Sequence, residues 1–244
     1  MKRKEILCLG DSLTRGGVGW SYVPFSRHRR AMVNAGRDGD TVWGLGRRLA
    51  RLLQRDGLTT CVVAIGTNDV LLPFLSTRPG WRLQMGMRSR LMHCRTCDDD
   101  FEREVRGLVS RIQSAGLSTI IVGLPLMELR DFPDDVCERR NRMLRTVAEE
   151  SDSPFVDAAA AMAAVGPTLP VDRRFSWSWF PPARVIDAVI MQVAPPTKDW
   201  FATARRLRLT VDGVHWNSRP AKAIARAVDD ALDEVVASAG HAAC

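Results

Sequence analysis

The chain contains no uninterrupted apolar window of about 18 residues, so it offers no candidate membrane-spanning helix. Its amino terminus is equally poor in hydrophobic sequence. After Met1 to Glu5 comes only Ile6-Leu7-Cys8-Leu9 before Gly10. That run is too short for the apolar region of a signal peptide, and the expected location is the cytoplasm. Histidine is scarce, with four residues, and there are six cysteines. Free thiols suit that compartment, and Cys8 and Cys61 fall in apolar runs that read as core. Cys94-Arg95-Thr96-Cys97 is a C-x-x-C, but no second one and no histidine pair accompanies it. A tetrahedral metal site therefore lacks ligands. Repeats and low-complexity linkers are missing too, and one domain over residues 1–244 is expected.

What is present is ordinary for a globular protein: 45% hydrophobic and 26% charged residues in 244. The net charge of +7 comes from arginine, in runs such as Arg27-His28-Arg29-Arg30, Arg47-Arg48-Leu49-Ala50-Arg51 and Arg88-Ser89-Arg90. These are scattered and interrupted by acidic stretches such as Asp98-Asp99-Asp100, which reads as a solvated surface. Nucleic acid is not an expected partner. Peripheral contact with a membrane and the oligomeric state stay open.

Short apolar runs alternate with amphipathic stretches. Glu5–Leu9, Thr59–Ile65, Thr119–Gly123 and Pro154–Val156 read as strands, continuous enough to be buried on both faces of a parallel sheet. Leu45, Leu49, Leu52 and Leu53 share a helix face opposite Arg47, Arg48 and Arg51. Phe101, Val105, Leu108, Val109 and Ile112 mark a second helix, with Asp98–Asp100 where its N-cap belongs. Val136 to Val147 marks a third, and a last one starts near Pro220. The alternation predicts an α/β protein, a three-layer α/β/α sandwich around a parallel sheet. Residues 70–97 and 166–211 fit no alternation and read as long insertions.

Ligands of such sheets meet the loops at the carboxyl ends of the strands. Gly10-Asp11-Ser12-Leu13-Thr14 follows the first strand, and Asn34 to Thr41 follows the short apolar pair Met32-Val33. Gly66-Thr67-Asn68-Asp69 follows the strand ending at Ile65, and Asp212-Gly213-Val214-His215 precedes the last helix. Any one of these is a plain turn or cap sequence. Their joint occurrence in this order resembles the four sequence blocks of the SGNH/GDSL hydrolases. Ser12 matches the first block, Gly39 (or Gly36) the second, Asn68 the third and His215 the fourth.

The resemblance implies a flavodoxin-like fold and acyl transfer to Ser12 followed by hydrolysis, with no metal or organic cofactor. The residues make chemical sense of it. A serine hydroxyl needs a base to take its proton, and His215 alone among the histidines has an acidic residue at short fixed spacing in a loop. Asp212 can accept its Nδ1–H and leave Nε2 for Ser12. The amides of Ser12 and Gly39 and the side chain of Asn68 would bind the oxyanion. G-x-S-x-G is missing, which argues against the α/β-hydrolase nucleophile elbow.

The substrate is expected to be a small ester or thioester with an apolar or aromatic acyl group. Asp11, Trp177, Trp179, Phe180 and Trp216 are the candidate pocket residues, with Phe175, Trp200 and Phe201 nearby in the second insertion. The alternative is that these aromatics only pack the insertion onto the domain. Val185, Ile186, Val189, Ile190 and Val193 suggest a helix there, in the core or at an interface. The arginine-rich Met85–Met92 segment is either a contact for an anionic substrate or a solvated loop. An acyltransferase using the same residues and a non-catalytic binder of anionic partners are the competing classes.

Overall fold

The structure is a computed structural model that describes residues 5–167, 169–170, 172, 174–177 and 181–241. Its centre is a parallel sheet of five strands: β1 (Glu5–Gly10), β2 (Met32–Gly36), β3 (Leu58–Ala64), β4 (Ser118–Val122) and β5 (Phe155–Val156). They lie in the order β2-β1-β3-β4-β5, all neighbours parallel. Met32-Val33 thus opens a full edge strand, paired from Ile6–Met32 to Gly10–Gly36.

The central strands bury both faces, and alternate residues go to opposite layers. Leu7, Leu9, Cys61, Val63 and Ile121 share one core with Leu45, Leu49, Phe101, Leu108 and Leu144. Ile6, Cys8, Val62, Ile120 and Val122 share the other with Ile224, Val228 and Leu232. The first layer holds α2 (Val42–Leu52), α5 (Asp98–Ser114) and α6 (Asp134–Glu150); the second holds α7 (Ala158–Ala163) and α10 (Ser218–His241). Each fully buried aliphatic side chain contributes about 1.5–3 kcal/mol, so these two stripes dominate the stability.

The remaining helices surround the carboxyl end of the sheet: α1 (Ser12–Arg15), α3 (Thr67–Ser76), α4 (Arg82–Leu91), α8 (Pro181–Val193) and α9 (Thr197–Ala204). Three expectations are revised here. Residues 70–97 are largely helical, α3 continuing through Pro73 and α4 resuming after Pro79-Gly80. The N-cap of α5 is Cys97, and Asp98–Asp100 fill its first turn, where negative charge suits the exposed amides. Arg48 does not face water: its guanidinium bonds Asp40 at 2.6 Å and the carbonyls of Ala35 and Gly10.

Candidate active site

In the order β2-β1-β3 the chain crosses from one side of β1 to the other, so the sheet's switch point lies between β1 and β3. A crevice opens at such a point at the carboxyl ends of the strands. Gly10-Asp11-Ser12 leaves β1 there, and Gly66-Thr67-Asn68 follows β3. Asp11 caps α1, its Oδ1 accepting the Leu13 amide at 2.9 Å, which puts Ser12 at the first helical position. Gly66, at φ +112, turns the chain from β3 into α3 in a conformation that other residues rarely adopt.

The stretch 207–216 carries only an isolated bridge between Thr210 and Trp216, and other parts of the chain hold it. Glu128 is fully buried, and its carboxylate accepts the amides of Arg208, Leu209 and Thr210 and the Thr210 hydroxyl at 2.8–3.1 Å. Trp177 donates its indole N–H to the Asp212 carbonyl at 2.9 Å, and Arg205 donates to the Val211 carbonyl at 2.7 Å. Asp212 Oδ1 accepts the amides of Val214 and His215, and Oδ2 lies 2.8 Å from His215 Nδ1. His215 Nε2 in turn lies 3.1 Å from Ser12 Oγ. The structure thus brings Ser12, His215 and Asp212 into one hydrogen-bonded line across 203 residues of sequence.

Burial alone would raise the Asp212 carboxyl, but the His215 charge and the hydrogen bonds from His215 and Val214 outweigh it and hold Asp212 below the usual carboxylate range. Burial alone would lower His215. The Asp212 charge and hydrogen bond, with help from Asp11 and Asp38, overcome that and raise it above 6.5.

A cavity of about 340 Å³ opens beside this line, with Ser12, Gly39, Asn68, Asp212 and His215 in its wall. Gly39 sits in a tight turn at φ +72, its α-carbon against the Arg88 guanidinium, and a β-carbon there would fall 2.1 Å from Arg88 Nη2. Its amide has no acceptor among the described residues. The Gly36 amide, by contrast, donates to Asn34 Oδ1, and Gly36 ends β2 away from the cavity. Asn68 gives one side-chain hydrogen to the Asp40 carbonyl at 2.9 Å and keeps a second.

Leu71, Leu72 and Leu75 from α3, Trp81 and Met85 beside or within α4, and Trp177 form an apolar wall. Trp177 and Trp81 are in contact, with ring centroids 4.7 Å apart. Helix α8 forms another side through Val185, Val189 and Met191, and Val185, Ile186, Val189, Ile190 and Val193 are exposed along it. Two expected pocket residues lie elsewhere. Trp216 is buried in the second core, 2% exposed, because it bridges back to Thr210 and clusters with Ile224 and Val228 of α10. Asp11 is buried beneath Ser12 as a helix cap. Trp179 and Phe180 fall outside the described residues. Phe175 and Phe201 pack against the Arg205 guanidinium, and Trp200 is exposed on α9; none of the three lines the cavity.

Glu128 and Arg205 carried no local signal, and Arg88 stood out only as part of the arginine-rich Met85–Met92 segment. Each is an ordinary charged residue whose importance comes from distant backbone brought beside it. A wider groove of about 730 Å³ lies at the opposite end of the sheet, near Leu117, Ser118 and Ser153, and has no histidine in its wall. Among the described residues, no group of three or more His, Cys, Asp or Glu side chains is arranged to hold a metal.

The model of the GDSL-like lipase/acylhydrolase family matches residues 8–176, which stops short of Asp212 and His215. No match is found among curated proteins. Among solved structures, a GDSL-like lipase from Bacteroides thetaiotaomicron superposes with a TM-score of 0.61 at 14% identity, covering 96% of this chain and 90% of that one. The lipase/acylhydrolase from Enterococcus faecalis gives 0.59 at 16% identity, covering 94% and 95%. Axe2, an acetylxylan esterase from Geobacillus stearothermophilus, gives 0.56 at 20% identity, covering 95% and 96%. At these identities the structural likeness concerns the fold.

Proposed function

Because the chain belongs to the GDSL-like lipase/acylhydrolase family, and is a carboxylic ester hydrolase, we propose that it cleaves its substrate through an acyl-enzyme on Ser12. The observation that carries this reading is the line Ser12 Oγ–His215–Asp212, at 3.1 and 2.8 Å, opening on the cavity that Gly39 and Asn68 also reach.

Neutral His215 takes the Ser12 proton on Nε2 as Oγ attacks the ester carbonyl. Asp212 stays ionised, holds the proton on Nδ1 and stabilises the imidazolium that forms. The carbonyl oxygen becomes an oxyanion and meets the amides of Ser12 and Gly39 and the free hydrogen of Asn68. His215 then protonates the departing alkoxide, and the acyl group stays on Ser12. Water, deprotonated by His215, attacks the acyl-enzyme in the second half, and Ser12 Oγ recovers its proton as the carboxylic acid leaves.

The acyl group in this reading is apolar and rests against Leu72, Leu75, Trp81, Met85 and Trp177, with α8 as the cover of the pocket. The apolar wall and the mixed exposure of α8 support it. The test is hydrolysis of p-nitrophenyl esters from acetate to palmitate by wild type and Ser12→Ala. Turnover should vanish in the variant and peak at medium chain length in wild type. Persistent turnover in Ser12→Ala removes Ser12 as the nucleophile, and a preference for acetate removes the apolar pocket.

A further inference from the structure

Arg88 projects from α4 into the cavity wall and is half-buried. Its guanidinium packs against Gly39, beside the amide assigned above to the oxyanion. Among the described residues it has no carboxylate and no side-chain hydrogen bond. The other charges around the cavity are committed. Asp212 holds His215, and Asp38 is bonded to Arg15. Asp187 serves two cations at once, Arg205 at 2.5 Å and Arg184 at 3.1 Å. Three arginines and three aspartates line the wall. With each aspartate already engaged, Arg88 is the arginine of the three that has no carboxylate within ion-pair distance among the described residues. A guanidinium at the cavity wall with no protein acceptor has its N–H donors available to a bound anion, and such charged hydrogen bonds are among the stronger ones.

We infer that Arg88 is a specificity residue that recognises a carboxylate or phosphate carried by the substrate close to its scissile ester. This rests on the ester-hydrolase reading of the Ser12 site and adds the substrate class: an ester with one apolar part, held by the Leu72–Trp81–Met85 wall, and one anionic group held by Arg88. A guanidinium presents paired N–H donors that can meet two oxygens of either anion at once, which a lysine at this position would not reproduce. The chemistry at Ser12 is unchanged, and Arg88 acts in binding and placement.

The test compares four esters: phenyl butyrate, which is neutral; 4-butyryloxybenzoate and 4-butyryloxyphenyl phosphate, with the anion on the leaving group; and monophenyl glutarate, with it on the acyl group. In Arg88→Gln, the ratio of kcat/KM for at least one anionic ester to that for phenyl butyrate should fall about tenfold or more, the size expected for one charged hydrogen-bonded contact. Arg88→Lys should fall between the two, and it serves if Arg88→Gln fails to fold. The ester that responds locates the anion and separates carboxylate from phosphate. Ratios unmoved for all three anionic esters would overturn the inference. If wild type cleaves none of the four, the ester reading fails by itself. Calorimetric binding of glutarate and of inorganic phosphate then decides on Arg88: affinity at least tenfold weaker in Arg88→Gln upholds the anion site, and equal affinity removes it.

Discussion

Replacing Asp212 by Asn is the substitution that most directly questions the proposed mechanism. The two side chains have the same shape, and the amide oxygen of Asn can keep the bonds that Oδ1 now accepts from the Val214 and His215 amides. That orientation puts an NH₂ group where Oδ2 now meets His215 Nδ1 at 2.8 Å. Two donors cannot face each other, so the imidazole moves its proton to Nε2 and accepts from Asn on Nδ1. Nε2, 3.1 Å from Ser12 Oγ, then has no lone pair with which to take the serine proton. A wrong tautomer of this kind costs ~10⁴ in kcat, or about 5.5 kcal/mol of transition-state stabilisation.

The same substitution moves the pH profile, in a direction the charges dictate. Burial pulls the His215 pKa down, and the Asp212 carboxylate is the chief group lifting it above 6.5. The base must be neutral to work, so wild-type kcat/KM should rise with pH through an apparent pKa above 6.5. Without the Asp212 charge, only Asp11 and Asp38 oppose burial, and the residual activity of the variant should titrate at lower pH. Initial rates on p-nitrophenyl butyrate from pH 5 to 9, with active protein counted by an acylating titrant, measure both effects. A variant within tenfold of wild type, or one with an unmoved acid limb, would refute the role given to Asp212.

Two further outcomes follow from the groups around Ser12. Asn68→Ala should lose ~10²–10³ in kcat with an unchanged far-ultraviolet circular dichroism spectrum, since it removes one of the three donors proposed for the oxyanion; wild-type turnover would exclude Asn68 from that site. Asp11 is pushed up to about 7, first by burial and further by Asp40 and Asp69, against the pull of the Leu13 amide and the His215 charge. A carboxyl raised in the folded state destabilises the fold once it ionises, so this cost is absent below the usual value of 3.8 and grows until about pH 7. Asn caps a helix as well as Asp does and carries no charge. The Tm of Asp11→Asn relative to wild type should therefore rise between pH 4 and pH 8, and a constant difference would show that Asp11 bears no such penalty.

The parts of the fold legible in the sequence are those whose signal lies in consecutive residues. Buried parallel strands appear as unbroken apolar runs, so β1, β3 and β4 stand out in Ile6–Leu9, Thr60–Val63 and Thr119–Val122. Met32–Gly36 is half-buried at the sheet edge, with a polar Asn34, and only its first two residues look like strand. Helices α3 and α4 are obscured by Pro73 and by Pro79-Gly80, although tertiary packing of Leu71, Leu72, Leu75 and Met85 outweighs those local breaks. Arg48 shares a helix with the exposed Arg47 and Arg51, and only its bonds to Asp40 and to the carbonyls of Gly10 and Ala35 near the ends of β1 and β2 distinguish it.

The candidate site divides in the same way. Asp-x-x-His is readable because three residues of spacing let one side chain fold back on the other within a single turn. Its orientation toward Ser12 is not readable, because residues 207–216 have no regular structure able to impose one. That orientation comes from Glu128 in the loop after β4, Trp177 in the second insertion and Arg205 at the end of α9. Glu128 acts over about 80 positions, through an acceptor count that no motif records: one carboxylate satisfying three backbone amides and a hydroxyl. A loop that must hold a buried Asp–His pair needs its own amides satisfied first, since each left unpaired out of water costs about 1–3 kcal/mol. The second insertion, which supplies Trp177, is therefore part of the support that keeps Asp212 in place as well as a wall of the cavity. Its sequence showed the aromatic ring but not the indole N–H, whose partner is a carbonyl 35 residues away.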